Sequence, residues 1–320
     1  MLLVSLLIPV LNEEDTIPLL AKRLGEVIHS IPDESFEVLF VDDGSTDGTV
    51  AAIQEATWPS NTRCRVLSLS RNFGHQNALT AGYEHALGDV VICLDADLQD
   101  PPELIPLFLQ KYREGYDVVY GIRQNRKEVW WMRLCFLAFY RLFNAIAERP
   151  MPLDAGDFGL VSQRVAKAIS GMTEYDRMIR GLRSWVGFRQ TGIPYNRPER
   201  FSGETRYRIG RRIEGALDGL FGYSRLPIRV MLFTGFTVFL ISLGYLAMTY
   251  LSWLIGGGES APGWRSIITL AFMLGAANLI AVSIVGEYVC RNYFQSKQRP
   301  RFIIAGILET TSRHSLPTRP

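Results

Sequence analysis

The chain has 320 residues, a formal net charge of +2, and 48% apolar against 21% charged residues. That is enough apolar material to bury a full-sized core, as one large domain or two smaller ones. Its four cysteines, Cys64, Cys93, Cys135 and Cys290, include no Cys-x-x-Cys pair, which argues against a disulfide framework and a zinc site and fits a reducing compartment. The charges crowd the first two thirds, whereas two long apolar runs lie between Pro227 and Arg291.

The opening Met1 to Pro9 is apolar but has neither a basic leader nor a small-residue cleavage site, so it is expected to be a buried strand rather than a secretory signal. Strand-like runs then alternate with helical patterns. Leu3 to Val10, Phe36 to Val41, Arg65 to Leu69, Val90 to Leu94 and Val118 to Gly121 read as strands, and Thr16 to Ser30, Thr49 to Ala56 and Gln76 to Leu87 as helices. This rhythm predicts a parallel α/β sheet, which binds ligands beyond the carboxyl ends of its strands. Those ends carry Asn12-Glu13-Glu14, Asp42-Asp43-Gly44-Ser45 and Asp95-Ala96-Asp97. Helix capping accounts for Thr16 or Thr49 taken singly. Paired acids at several strand ends point to one ligand site.

Residues 129–148 place Arg133, Arg141, Asn144 and Glu148 near one helical stripe among Trp and Phe, the pattern of a helix in a membrane interface, and residues 209–226 are read in the same way. The runs 228–255 and 266–289 each exceed the roughly 20 apolar residues that cross a bilayer, and a short turn joins them into an expected transmembrane hairpin. Arg211, Arg212, Arg225 and Arg229 precede the first run, and Arg291, Lys297, Arg299 and Arg301 follow the second. By the positive-inside rule both ends then lie in the cytoplasm. The expected organisation is a cytoplasmic catalytic domain over 1–225, the hairpin over 226–292 and a cytoplasmic tail over 293–320 that is polar and disordered after Ile307, in a multi-pass protein of the inner (cytoplasmic) membrane.

The strongest single motif is Asp95-Ala96-Asp97-Leu98-Gln99-Asp100-Pro101-Pro102-Glu103, directly after the apolar run Val90 to Leu94. Two carboxylates one residue apart at a strand end, with the Gln99 amide, offer hard oxygen ligands for Mg²⁺ or Mn²⁺, which can neutralise a diphosphate. The four histidines form no ligand cluster, and no Ser-His-Asp or Cys-His arrangement is present.

With Ile8-Pro9-Val10-Leu11-Asn12-Glu13-Glu14, Val41 to Thr49, Ser70-Arg71-Asn72-Phe73-Gly74-His75-Gln76 and Asp95 to Glu103 in this order, the chain resembles inverting glycosyltransferases of GT-A (Rossmann-like) fold. The likeness is to the dolichol-phosphate mannose synthase and bactoprenol glucosyltransferase group. It continues through Leu153 to Phe158 and Arg200 to Tyr207, nearly the whole chain. The resemblance implies transfer of a sugar, best matched by glucose from UDP-glucose, to undecaprenyl phosphate with inversion, for glycosylation of the cell envelope. It assigns Pro9, Leu11, Glu13, Asp42 and Asp95 to the nucleotide-sugar, and Asp95, Asp97 and Gln99 to the metal. Asp157 takes the place of the catalytic base, and homotetramers, which this group often forms, are an expectation.

A phosphate monoester has a second pKa near 6, so the acceptor is already mostly a dianion at neutral pH. Asp157 would then orient the acceptor or stabilise an oxocarbenium-like sugar. A helix cap or a buried salt-bridge acid is its plainer reading. The acceptor phosphate calls for cations: Arg200 and Arg206 come first, and Arg123 and Arg126 second. A polybasic stripe on anionic lipid is the other reading of the arginine block from Arg197 to Arg212. Two alternatives to this function are a processive polysaccharide synthase, whose Gln-x-x-Arg-Trp motif is absent, and an inactive nucleotide-binding scaffold, against which Asp95, Asp97 and Asp157 all stand. Nucleic acid is not an expected partner, because the basic residues sit at the predicted membrane boundaries.

Overall fold

The computed structural model describes residues 1–124, 155–174, 177–196 and 263–311, with isolated positions between 234 and 255. Two units are distinguished. The first takes in Met1–Asn144, Arg149–Arg208 and Arg299–Pro320, and the second Ala145–Glu148 and Ile209–Gln298.

The first unit is built on an eight-stranded sheet of order β7-β5-β6-β4-β1-β2-β3-β8. Its strands are β1 (Leu3–Val10), β2 (Ser35–Asp42), β3 (Thr62–Leu69), β4 (Val90–Cys93), β5 (Val118–Gln124), β6 (Ala155–Ser162), β7 (Gln190–Asn196) and β8 (Ile304–Thr311). The α-helices among the described residues of this unit are α1 (Ile17–His29), α2 (Thr49–Glu55), α3 (His75–His85), α4 (Ile105–Arg113), α5 (Gln163–Ser170) and α6 (Ile179–Trp185). Strands β3, β2, β1 and β4 run parallel, β6 lies antiparallel between β4 and β5, β7 is parallel to β5, and β8 is antiparallel on the β3 edge.

The central strands form here because their residues are apolar on both faces, as a sheet covered on both sides requires. Every residue of β1 from Val4 to Val10 is buried, and so is every residue of β2 from Phe36 to Asp42. Helix α1 covers this sheet with Ile17, Leu20, Leu24 and Ile28, an apolar stripe at helical spacing. Helix α3 comes so close to β1 that a Cβ on Gly82 would lie 1.9 Å from Leu7 Cδ1. Its far end is tied to the sheet by a buried polar network. Glu37 accepts from Arg65 Nη1 at 2.5 Å, from the Leu87 N–H at 2.8 Å and from Ser5 Oγ, while the Gly88 N–H donates to Ser5 Oγ at 2.8 Å.

The parallel α/β expectation holds for β1 to β4, and the mixed sheet fits the GT-A type. The disorder expected after Ile307 does not hold up to Thr311, because residues 304–311 form β8, held to β3 by the ladder and by Glu309 against Arg63 and Arg65.

In the second unit the described helix is α7 (Trp264–Ser296), 33 residues long. It runs past the apolar stretch through Glu287 and Arg291, which pair at 2.8 Å, and carries Asn278 within that stretch. Among the described residues no helix is long and apolar enough to cross a membrane. The expected hairpin of spans 228–255 and 266–289 is therefore not supported, and the multi-pass inner-membrane localisation is corrected on this finding. Apart from isolated positions the first of those runs lies outside the described residues, as do the interface helices expected at 129–148 and 209–226.

The contact at Gly82 gives a stability test. Leu7 is fully buried and cannot swing away, so Gly82→Ala is expected to cost about 1–3 kcal/mol through overpacking. Gly25→Ala in α1, where an added Cβ meets nothing within 4 Å, should instead stabilise by up to about 1 kcal/mol. Urea unfolding of the two variants measures both; equal effects would refute the close packing of α3 on β1.

Candidate functional site

The ends of β1 and β2 are stitched into one loop layer. The Asn12 N–H donates to Ser45 Oγ at 3.0 Å, the Thr46 N–H to Asn12 Oδ1 at 2.8 Å and the Glu13 N–H to Thr49 Oγ1 at 2.8 Å. Asn12 takes a φ of 55°, a left-handed turn that asparagine tolerates and that lets its side chain reach the second loop. Of the residues expected at the nucleotide, Pro9 is buried in β1 opposite Val41, and Leu11 is half-buried at the strand end. Glu13 accepts from Thr16 Oγ1 at 2.8 Å, and Asp42 Oδ1 accepts the Ser45 N–H at 2.8 Å.

Asp43, which the sequence pairs with Asp42, has a different task. Its two oxygens accept the N–H groups of Phe73 at 2.7 Å and Gly74 at 2.9 Å, so the end of β2 grips the residues that start α3. Gly44, at a φ of +77°, is pressed so close to this segment that a Cβ would lie 2.7 Å from the Arg71 carbonyl carbon. Burial raises the Asp43 carboxyl, against the two backbone hydrogen bonds.

Beyond β4, the Asp95-to-Asp100 segment folds on itself. The Asp95 N–H donates to Asp100 Oδ2 at 3.2 Å and the Gln99 N–H to Asp97 Oδ1 at 3.1 Å, with Leu98 left-handed at a φ of 60°. Asp100 is 1% exposed and also accepts from the Tyr195 hydroxyl at 2.9 Å, which in turn accepts from Arg123 Nε at 3.4 Å. Burial, then Asp100, Asp97 and Asp157 push the Asp95 carboxyl up to about 6, with His75 pulling the other way. Among the described residues no group of three or more His, Cys, Asp or Glu side chains is placed to hold a metal ion. The pair Asp95 and Asp97 still suits a cation that takes one or two protein carboxylates and completes its shell with phosphate and water, because a divalent cation offsets both the burial and the neighbouring acids that raise Asp95.

Asp157 lies on β6. This strand is antiparallel to β4 with Gly159 opposite Cys93, so residues 155–158 run past the carboxyl end of β4. There Asp157 Oδ2 accepts from Gln76 Nε2 at 3.2 Å and sits 3.4 Å from His75 Nε2. Burial alone would raise Asp157, but the His75 hydrogen bond and charge, with Arg183 and Arg180, hold it down at about 2. Burial would lower His75, but Asp157, Asp95 and Asp43 carry it up to about 9.

Sequence reading missed four residues here. His75 was set aside because it belongs to no histidine cluster. Gln76 and the arginines Arg180 and Arg183 of α6 were not singled out. Arg183 is 2% exposed and donates to the Gly156 carbonyl at 3.0 Å; two arginines three apart beside Trp185 were the available signal. Of the expected acceptor cations, Arg123 stands beside Gly156, where a Cβ would meet its Nη2 at 2.7 Å. Arg126, Arg200 and Arg206 lie outside the described residues.

This arrangement, acids from three strand ends converging on one histidine, can be set beside known proteins. Residues 5–169 match the family described as Glycosyl transferase family 2. The chain is 38% identical over 304 residues to an uncharacterized glycosyltransferase of Synechocystis sp., covering 95% of each protein. It is 34% identical over 309 residues to the prophage bactoprenol glucosyl transferase homolog of Escherichia coli K12, covering 94% of this chain and 98% of that one. To the bactoprenol glucosyl transferase of Shigella phage SfV it is 36% identical over 309 residues, covering 94% and 97%. Family match and near full-length identity agree: the chain belongs to glycosyl transferase family 2.

Proposed function

We propose that this glycosyltransferase moves glucose from UDP-glucose to the phosphate of a polyprenyl lipid, undecaprenyl phosphate, with inversion at the anomeric carbon. The observation that carries the reading is the set of acids at the ends of β2, β4 and β6: Asp43 holds the N–H groups of Phe73 and Gly74 that start α3, His75 of α3 lies 3.4 Å from Asp157, and Asp95 and Asp97 follow β4. The bactoprenol glucosyl transferases at 34–36% identity support the choice of acceptor and sugar. Catalysis is assigned to the domain expected over 1–225.

In this reading Pro9, Leu11, Glu13, Asp42 and Asp95 receive the nucleotide-sugar. Asp95 and Asp97, with Gln99, would hold Mg²⁺ or Mn²⁺, which when bound offsets the charge on the leaving diphosphate. Arg123, with Arg126, Arg200 and Arg206, meets the acceptor phosphate. One acceptor oxygen forms the new bond to the anomeric carbon as the bond to the diphosphate oxygen breaks, and the nucleoside diphosphate leaves with that electron pair. With the acceptor already a dianion and Asp157 held ionised down to about 2, no proton need pass to Asp157. Its charge orients the cations around it, His75, Arg183 and Arg180.

Purified protein supplied with a panel of radiolabelled UDP- and GDP-sugars, undecaprenyl phosphate and Mg²⁺ or Mn²⁺ should label the lipid from one donor. Asp97→Asn should cut that rate by about 100-fold or more, the scale of losing a charged transition-state contact. Consumption of a donor only with another acceptor would refute the lipid assignment, and nucleotide binding without turnover the enzyme itself.

Asp95 gives a second test. A carboxyl raised to about 6 is held ionised at a cost above that pH, on the order of 1–3 kcal/mol. The penalty shrinks as pH falls from about 6 toward the ordinary value of 3.8. Asp95→Asn is therefore expected to melt higher than wild type at pH 8 in the presence of chelator, to lose that advantage near pH 4, and to be inactive. An equal or lower melting temperature at pH 8 would count against the anionic crowding.

A further inference from the structure

His75 has no task in the transfer step, yet its surroundings are specific. It is the first residue of α3, placed by the grip of Asp43 on Phe73 and Gly74. Its side chain is 41% exposed, against 19% for Asp157, so the imidazole is the outward member of the pair. Asp157 is turned inward: Oδ2 lies between His75 and Gln76, and Oδ1 is buried and accepts no hydrogen bond among the described residues. Gln76 cannot swivel freely, because its own Oε1 accepts the Ile179 N–H at 2.7 Å. The carboxylate thus faces a ring and an amide, and the ring faces out.

The charged groups facing His75 are Asp157 from β6, Asp95 beyond β4 and Asp43 beyond β2. Those facing Asp157 are His75 and, from α6, Arg180 and Arg183. The amino end of α3 opposes protonation of the ring, and the three carboxylates outweigh it. With Nε2 turned to Asp157, Nδ1 is the ring nitrogen left for a ligand.

Resting on the transferase reading above, we propose that His75 binds phosphate in the active site: its Nδ1–H donates to a phosphate oxygen, while Asp157 and Gln76 hold the ring for that contact. The contact with Asp157 favours the protonated ring, so His75 supplies a cation and no acid–base step. The oxygen belongs either to the diphosphate of the donor or to the acceptor phosphate; the chemistry recognised is the same. Asp157 becomes a positioning residue that acts through the imidazole.

The test uses the full chain with His75→Gln and His75→Lys, reading calorimetric binding of UDP, GDP and uridine and the KM for undecaprenyl phosphate. A lost charge-assisted hydrogen bond predicts about a 10- to 100-fold effect. If the oxygen is the donor's, His75→Gln weakens nucleoside diphosphate binding by that factor and leaves uridine unchanged. If it is the acceptor's, diphosphate binding is unchanged and the KM rises by that factor. In either case the cationic His75→Lys recovers most of the loss, which a merely structural role would not allow. Independently of any variant, the wild-type His75 ring ¹⁵N resonance should move on adding UDP or undecaprenyl phosphate. Binding and KM within twofold of wild type in His75→Gln, Lys no better than Gln, or a resonance unmoved in both titrations overturns the proposal while leaving the transferase standing. Wild type that binds neither UDP nor GDP and labels no lipid overturns the transferase reading and this one with it.

Discussion

The carboxylate of Asp43 is the contact on which the site's geometry depends. By accepting the N–H groups of Phe73 and Gly74 it fixes where α3 begins relative to the end of β2. Gly44 makes that possible, since a side chain there would collide with the backbone of Arg71 and Asn72. At its other end α3 is fixed by Glu37 and Ser5, and at Gly82 it lies against Leu7. A helix pinned at both ends and in the middle presents its first residues rigidly. Those residues, His75 and Gln76, are the ones that meet Asp157. A site built on pinned elements holds its geometry more tightly than one built on loops.

Given that frame, the environment separates two chemically identical side chains. Burial, with Asp100, Asp97 and Asp157, raises Asp95 to about 6; Asp157 is buried too, but His75, Arg183 and Arg180 bring it down to about 2. Carboxylates driven apart in this way divide the work of a site. Asp95 repels its neighbours at neutral pH and gains from an added cation. Asp157 is already neutralised by protein cations and has least to gain from one. The proposed metal site accordingly falls on the Asp95 side, away from the cations that meet Asp157. The site sacrifices stability to keep Asp95 charged, as functional sites commonly do.

Strands β1 to β4 were legible in the sequence because a strand buried on both faces must be mostly apolar, and Val4 to Val10 and Phe36 to Val41 are apolar runs interrupted only by Ser5 and Glu37. The acids after them were legible because charge at the end of such a run has few other uses. The later strands were not: β6 opens with Ala155-Gly156 and β7 holds Gly192 and Pro194, so neither has the composition of a strand, and both are set by pairing with β5. The Gln76–Asp157 contact spans 81 positions and the Arg63–Glu309 contact 246, distances over which no periodicity speaks. His75 was passed over for a related reason. A single histidine carries no pattern, and its character comes from acids on β6 and in the turns beyond β2 and β4. Reading apolar length as bilayer crossing failed from the opposite side, since a run such as 266–289 fixes the existence of a helix, here Trp264–Ser296, more firmly than its surroundings.

The antiparallel insertion of β6 explains why one acid reaches the site from a strand rather than a loop. The parallel strands β1, β2 and β4 offer their last residues and the turns beyond their carboxyl ends. Strand β6 enters from the opposite direction, so with Gly159 opposite Cys93 its own first residues overhang the end of β4. Asp157 thereby stands beside Asp95 while its backbone is held by the sheet. The parallel pair β5 and β7 delivers Arg123 and Tyr195, in register with each other, to the same edge. Tyr195 passes that order on to Asp100, and Asp100 holds the Asp95 N–H. The loop bearing Asp95 and Asp97 is thus steadied by strands on both sides of β6. A cation bound there would meet carboxylates already in place, with little ordering left for it to impose.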